Sequence, residues 1–227
     1  MRALAITLMT ALVGTSLLVA GDVTGKVTFD GKAPQMQRLR MDADRFCRAA
    51  HKAPVSSEEV VVNKNGTLMN VLVYVKGVGG KHTPPKSKAL FDQKGCIYYP
   101  HVLAVQAGQQ VEILNSDNTL HNVHTLSKKN PSFNAGQPIK GHKLMKKFEK
   151  EETFRVKCDV HPWMGAFIGV FDHPYYAVTG DDGNFTIKGL PAGEYTIEAW
   201  HEKYGTKTMK VAVPKSGKAT VEFKYSN

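Results

Sequence analysis

The chain has 227 residues, 42% of them hydrophobic, which is enough for a packed core in one or two domains. Lysine and arginine number 30 against 20 acidic residues, a formal net charge of +10 that is densest from Lys143 to Lys150. No nucleic-acid motif accompanies this charge, so the lysines read as a solvated surface suited to acidic partners, with no nucleic acid among them.

The N-terminus carries an export address. Arg2 precedes an uncharged stretch from Ala3 to Ala20, closed by the small residues Val19-Ala20-Gly21. Residues 1–21 therefore read as a secretory signal peptide cleaved after Ala20 or Gly21, which makes the mature protein periplasmic or otherwise exported. An uncleaved anchor is the alternative, because the stretch sits at the lower length limit for a membrane span. No later segment is long and apolar enough to cross a bilayer, so no stable span is expected after signal removal. Loss of Arg2 leaves 29 basic against 20 acidic residues, a net +9.

Twenty glycines, eleven prolines and only short apolar runs point to a loop-rich all-β protein. Gly25 to Gly31 is a strand running into a turn. Residues 35–58 are polar, with a helical turn expected around Ala43 to Ala50. Val60 to Val62 and Val71 to Val75 read as strands on either side of the turn Asn63-Lys64-Asn65-Gly66. Lys81 to Lys88, with Pro84-Pro85, reads as a linker. Apolar stretches follow at Ile97 to Tyr99, Val102 to Val105 and Val111 to Leu114. Phe154 to Cys158 alternates, with Phe154, Val156 and Cys158 on one face, and Ala166 to Phe171 suits a strand buried on both sides. Asn184 to Ile187, Tyr195 to Trp200, Thr208 to Val213 and Thr220 to Tyr225 complete a series of short strands separated by turns, the pattern of sandwiches.

The three cysteines are Cys47, Cys96 and Cys158. In an oxidising compartment an odd count implies one pair plus one thiol with another use. Cys158 is the odd one, because it opens Cys158-Asp-Val-His161-Pro162-Trp163-Met164, whereas Cys47 and Cys96 have no comparable neighbours and are expected to form a disulfide. A buried free thiol is the bland alternative for Cys158. His121 lies about forty residues upstream in Asn115-Ser-Asp117-Asn-Thr-Leu-His121-Asn122. One thiolate, two imidazoles and a thioether form the set that selects copper; zinc more often takes four Cys/His ligands or keeps a water position. His124 reads as an ordinary histidine, whereas His101 near Cys96, His142 three before Met145 and His51 four after Cys47 suggest a second metal site only weakly, since none supplies a full ligand set.

The run from Tyr99-Pro100 through Gly108 and Asn115-x-Asp117 to His121-Asn122-Val123 resembles the first half of a cupredoxin. The loop from Cys158 to Met164 is similar to the ligand loop of amicyanin. The resemblance covers residues 88–172. It implies a Greek-key β-sandwich with one mononuclear type 1 copper site on His121, Cys158, His161 and Met164, and with Asn122 bracing the Cys158 loop. It also implies that the His161 edge reaches the surface within an apolar patch of Pro162 and Trp163, where electrons enter. Ser127 to Lys150 is longer and more basic than the family pattern, and is expected to be a partner-binding insertion or a disordered flap. Gly25 to Gly31, Asn70 to Val75 and Thr179-Gly-Asp-Asp-Gly183 to Tyr195 resemble a carboxypeptidase-regulatory-like (transthyretin-like) domain. Its expected extent is 22–80 plus 174–227, with the cupredoxin inserted; the alternative is 174–227 alone. The function expected is that of an exported electron carrier, not an enzyme, working with a redox protein that presents an acidic face. A copper module for storage, delivery or sensing is the alternative.

Overall fold

The computed structural model describes residues 20–227, so the expected signal peptide lies outside the described residues except for its cleavage point at Ala20 and Gly21. The chain is all-β. The described residues open with β1 (Ala20–Asp30), followed by the five-residue helix α1 (Arg45–Ala49) and β2 (Leu72–Val75). Nine strands follow: β3 (Ala89–Gln93), β4 (Tyr98–Tyr99), β5 (Val102–Gln106), β6 (Gln110–Asn115), β7 (His121–Thr125), β8 (Asn134–Gln137), β9 (Lys143–Lys147), β10 (Glu152–Lys157) and β11 (Gly165–Phe171). The last five are β12 (Tyr176–Val178), β13 (Asn184–Pro191), β14 (Gly193–His201), β15 (Gly205–Val213) and β16 (Lys218–Ser226). Among the described residues no helix is long and apolar enough to cross a membrane.

Four sheets stack in layers: most strands alternate and bury one face, while β5 and β11 are buried on both. The inner sandwich pairs the order β5-β11-β10-β7-β8 with β4-β3-β6-β9. Its core includes Phe91, Val105, Val111, Ile113, Val123, Val156, Ala166 and Ile168. The outer sandwich pairs β13-β1-β16 with β12-β2-β14-β15, around Val23, Val27, Leu68, Val73, Ile187, Ile197 and Phe223. In the outer sandwich β1 runs antiparallel to β13 and parallel to β16, while β2 pairs with β12 and β14. Strands β1 and β2 thus share sheets with β12 to β16, and the inner sandwich is threaded between them.

A third apolar layer joins the two sandwiches. Leu72, Val102 and Phe171 are buried there, with Tyr74, Phe167, Tyr176 and Trp200 packed around them. Strand β11 explains the continuous apolar run read in the sequence: Ala166, Ile168 and Val170 face the inner core while Phe167 and Phe171 face the outer sandwich. At Gly169 the layers touch so closely that a Cβ would lie 2.5 Å from the Leu72 side chain.

Two local expectations change. Val60 to Val62 is not a strand; Val62 makes one isolated bridge to Leu68, and Val60 is drawn into the outer core. Ser127 to Lys150 is not a disordered flap. It supplies β8 and β9, the edge strands of both inner sheets, and Gln137 on β8 is fully buried.

Candidate metal centre

The turn between β10 and β11 closes tightly. The Cys158 N–H donates to the Met164 carbonyl at 3.2 Å, and the Met164 N–H donates to the His161 carbonyl at 2.9 Å. The His161 N–H donates to Cys158 Sγ at 3.3 Å. Strand β7 begins at His121 and lies beside β10, which carries His121 to the same end of the inner sandwich. The Nδ1 atoms of His121 and His161 face each other at 3.0 Å, and one ligand atom each from His121, Cys158 and His161 lie within 4.8 Å of one another. Met164 is buried in the same core as Cys158. All four side chains are shut from solvent, none more than 3% exposed.

Carboxylates orient both rings from the far side. Asp117 accepts from the Gly95 and Cys96 N–H groups at 2.7 Å each and meets His121 Nε2 at 2.9 Å. Asp44 meets His161 Nε2 at 3.3 Å, caps α1 through the Cys47 N–H at 2.9 Å, and accepts from the Thr119 hydroxyl at 2.8 Å. With Nε2 occupied on each ring, Nδ1 is left to point inward. Burial would raise the Cys158 thiol, but the His121 imidazole and the backbone N–H groups of Asn122, His161 and Val160 outweigh it and hold the thiol below its ordinary value. Burial would lower His121, but Asp117 and Cys158 hold it above the usual histidine range. For His161 burial prevails over Asp44, and the ring stays below that range. Asn122 accepts from the Asp159 N–H at 2.6 Å, so it grips the loop one residue beyond Cys158.

Cys47 and Cys96 are joined in a disulfide, and Cys158 is a free, buried thiol. The expected exposed imidazole edge is not present. Segment 36–58 folds over it, placing Asp44 and Cys47 on the His161 ring and leaving that residue 3% exposed. Pro162 is exposed and Trp163 is half-buried. The indole lies 4.9 Å from the His161 ring and donates Nε1–H to the Cys96 carbonyl at 3.0 Å. Trp163 also lines a cavity between the sandwiches together with Glu58, Glu59, Glu202, His101 and Arg155. Three of the other histidines have other occupations: His51 meets the Gly95 carbonyl, His124 pairs with Asp159, and His101 sits between Glu58 and Glu202. Sequence reading missed Asp44 and Asp117 as orienting groups. Asp117 left a signal, four residues before His121; Asp44 signalled only a helix cap three residues before Cys47.

A donor set of one depressed thiol, two convergent imidazole nitrogens and a buried thioether is chemically suited to a soft or borderline metal ion. Residues 160–226 match the family model of the carboxypeptidase regulatory-like domain. None of the curated proteins searched matches the chain. A copper-containing nitrite reductase from Thermus scotoductus is similar at 24% identity and a TM-score of 0.36, over 43% of this chain and 25% of the reductase. The chain therefore spans about a quarter of that enzyme. A purple cupredoxin from Nitrosopumilus maritimus is similar at 22% identity and a TM-score of 0.32, over 36% of this chain and 98% of its own. An oxidised amicyanin variant is similar at 18% identity and a TM-score of 0.34, over 43% and 97% respectively. The chain is thus similar to cupredoxins over part of its length and, over residues 160–226, to the carboxypeptidase regulatory-like domain.

Proposed function

We propose that the chain is an exported type 1 copper protein that carries single electrons between redox partners and catalyses nothing itself. One observation supports this most: a buried thiol and two imidazole nitrogens converge within 4.8 Å, beside a buried methionine. Copper held by His121, Cys158, His161 and Met164 would supply reversible one-electron chemistry. The chain's own residues do the rest. Cys158 is ready to ionise, Asp117 and Asp44 fix the two rings, Asn122 fixes the loop, and segment 36–58 excludes water. A carrier needs donors that stay in place when the charge at their centre changes, and this packed, hydrogen-bonded frame supplies that. The alternative, copper as cargo for storage, delivery or sensing, requires exchange, which burial of all four side chains opposes.

The half-buried Trp163, next to His161, is the proposed entry point for electrons. The net charge of +9 favours a partner with an acidic face, yet Glu58, Glu59 and Glu202 share the cavity with Trp163. A salt series distinguishes the two surfaces. For a partner with an acidic face, transfer rates that fall as salt rises indicate attraction to the lysine-rich surface, and rates that rise indicate repulsion by the glutamates at the Trp163 opening. Trp163→Ala is expected to slow transfer while copper is retained.

The deciding measurement is visible and electron paramagnetic resonance spectroscopy after copper addition. One copper per chain and an intense thiolate-to-copper band are expected, abolished by Cys158→Ser. Met164→Leu is expected to keep the colour and raise the potential. A colourless protein that holds only zinc under excess copper refutes the proposal.

A further inference from the structure

The disulfide lies against the metal centre. Cys47 Sγ is 3.7 Å from His161 Nε2, and both cystine residues are buried. The ligand atoms of Asp44, Cys47 and His161 lie within 4.8 Å of one another, as do those of Cys96, Asp117 and His121. Each imidazole therefore has two occupied sides. Nδ1 points to the centre described above, while Nε2 points to a carboxylate close to a cystine sulfur. While the disulfide is intact its sulfurs are bonded to each other and offer no thiolate to a metal.

We propose that Cys47 and Cys96, once reduced, form with Asp44 and His161 Nε2 a second metal site that takes Cu(I). The proposal rests on the reading of His161 as an Nδ1 ligand of the first centre; Nε2 then carries the ring proton toward Asp44, and ligation at Nε2 releases that proton to leave a bridging imidazolate. Reduction by a dithiol proceeds by exchange. One thiolate attacks Cys47 Sγ, the S–S bond breaks and Cys96 leaves as a thiolate. The second thiol of the reductant then displaces Cys47 and departs as a cyclic disulfide, having delivered two electrons and two protons. A cavity beside Cys47, lined by Arg38, Arg48, Lys52 and Asp42 among others, offers the approach, and its three cations favour an incoming thiolate. Two thiolates side by side are soft donors that favour Cu(I), and binding releases their protons.

The test titrates the whole chain with bicinchoninate-buffered Cu(I) under anaerobic conditions, before and after dithiothreitol treatment and desalting. One equivalent is expected before reduction and two after. In the reduced chain the second equivalent should slow iodoacetamide alkylation of Cys47 and Cys96 by about tenfold or more, read peptide by peptide. Cys158→Ser should remove the first equivalent and keep the one gained on reduction, so failure at one centre is distinguishable from failure at the other. A reduced chain that takes no more Cu(I) than the unreduced chain, or a second equivalent that leaves Cys47 and Cys96 freely alkylated, overturns the proposal.

Discussion

The two sandwiches bury different things. Between its sheets the outer one is packed chiefly with Val, Ile, Leu and Phe, and its buried hydroxyls bond to backbone: Thr179 donates to the Leu68 carbonyl and accepts from the Val71 N–H, and Tyr225 donates to the Ala199 carbonyl. The inner one buries a polar lattice as well. Gln93 donates to Gln137 at 2.6 Å, Gln137 donates to the Ile113 and His142 carbonyls, and Asn115 donates to the carbonyls of Thr119 and Gln137. Asn115 Oδ1 accepts from the Asp117 N–H at 2.9 Å, and Asp117 holds His121. Apolar packing makes a stable layer but tolerates small slips. Buried hydrogen bonds fix direction, at a cost whenever one is lost. The polar lattice lies where a side chain must be aimed, and the apolar core lies where only rigidity is needed.

That contrast can be broken, and the largest effect comes from dividing the outer sandwich. A fragment of residues 174–227 lacks β1, the central strand of its sheet, and β2. It is expected to show no cooperative thermal transition; a sharp one would mean that these strands are dispensable. Next is Gly25→Ala. A Cβ there would lie 1.8 Å from the Val221 carbonyl oxygen and 2.5 Å from the Phe185 ring, forcing β1 off β16. A loss of about 3 kcal/mol is expected by denaturant titration, with metal uptake per folded chain unchanged. Asn115→Ala should differ at the metal. Stability falls by about 2 kcal/mol, and metal affinity falls too, because Asp117 loses the acceptor that positions it. Equal metal affinity in the two variants would erase the contrast.

The smallest effect tests the 127–150 segment. Glu152 accepts from the N–H groups of Lys128, Lys129 and Asn130 and from the Ser127 hydroxyl. Desolvation opposes its ionisation, but these donors prevail and lower its pKa to about 2. Because the folded value lies below the unfolded one, the stabilisation is complete above about pH 4.5 and is lost as pH falls toward 2. Partial solvation limits it to about 1 kcal/mol. Glu152→Gln should remove this acid-side slope from the stability–pH curve, and an unchanged slope would assign it to other carboxylates.

Much of this architecture was legible where a pattern is local. The alternation of Phe154, Val156 and Cys158 marks β10, and the unbroken apolar run Ala166–Phe171 marks a strand with two buried faces. The spacing of Cys158, His161 and Met164 was readable because one tight turn holds all three. What escaped depends on distant chain. The Asp44–His161 contact spans 117 positions, and no spacing rule reaches that far. The cover over His161 was missed for the same reason: α1 has five residues, too few to carry an amphipathic signature. Ser127 to Lys150 looked like an appendage because its lysines face solvent from edge strands, where half of each strand need not be apolar.

One feature of the topology bears on how such a chain assembles. The strand that leads into the inner sandwich, β2, and the one that leads out, β12, are hydrogen-bonded neighbours. In the unfolded chain their meeting would close a loop of about a hundred residues, a slow entropic search. Once the inner sandwich has folded, its two ends are already side by side and the search is over. The inner sandwich thereby acts as a template for the outer one. Pulse-labelled hydrogen exchange should find amides of β10 and β11 protected before those of β1 and β16.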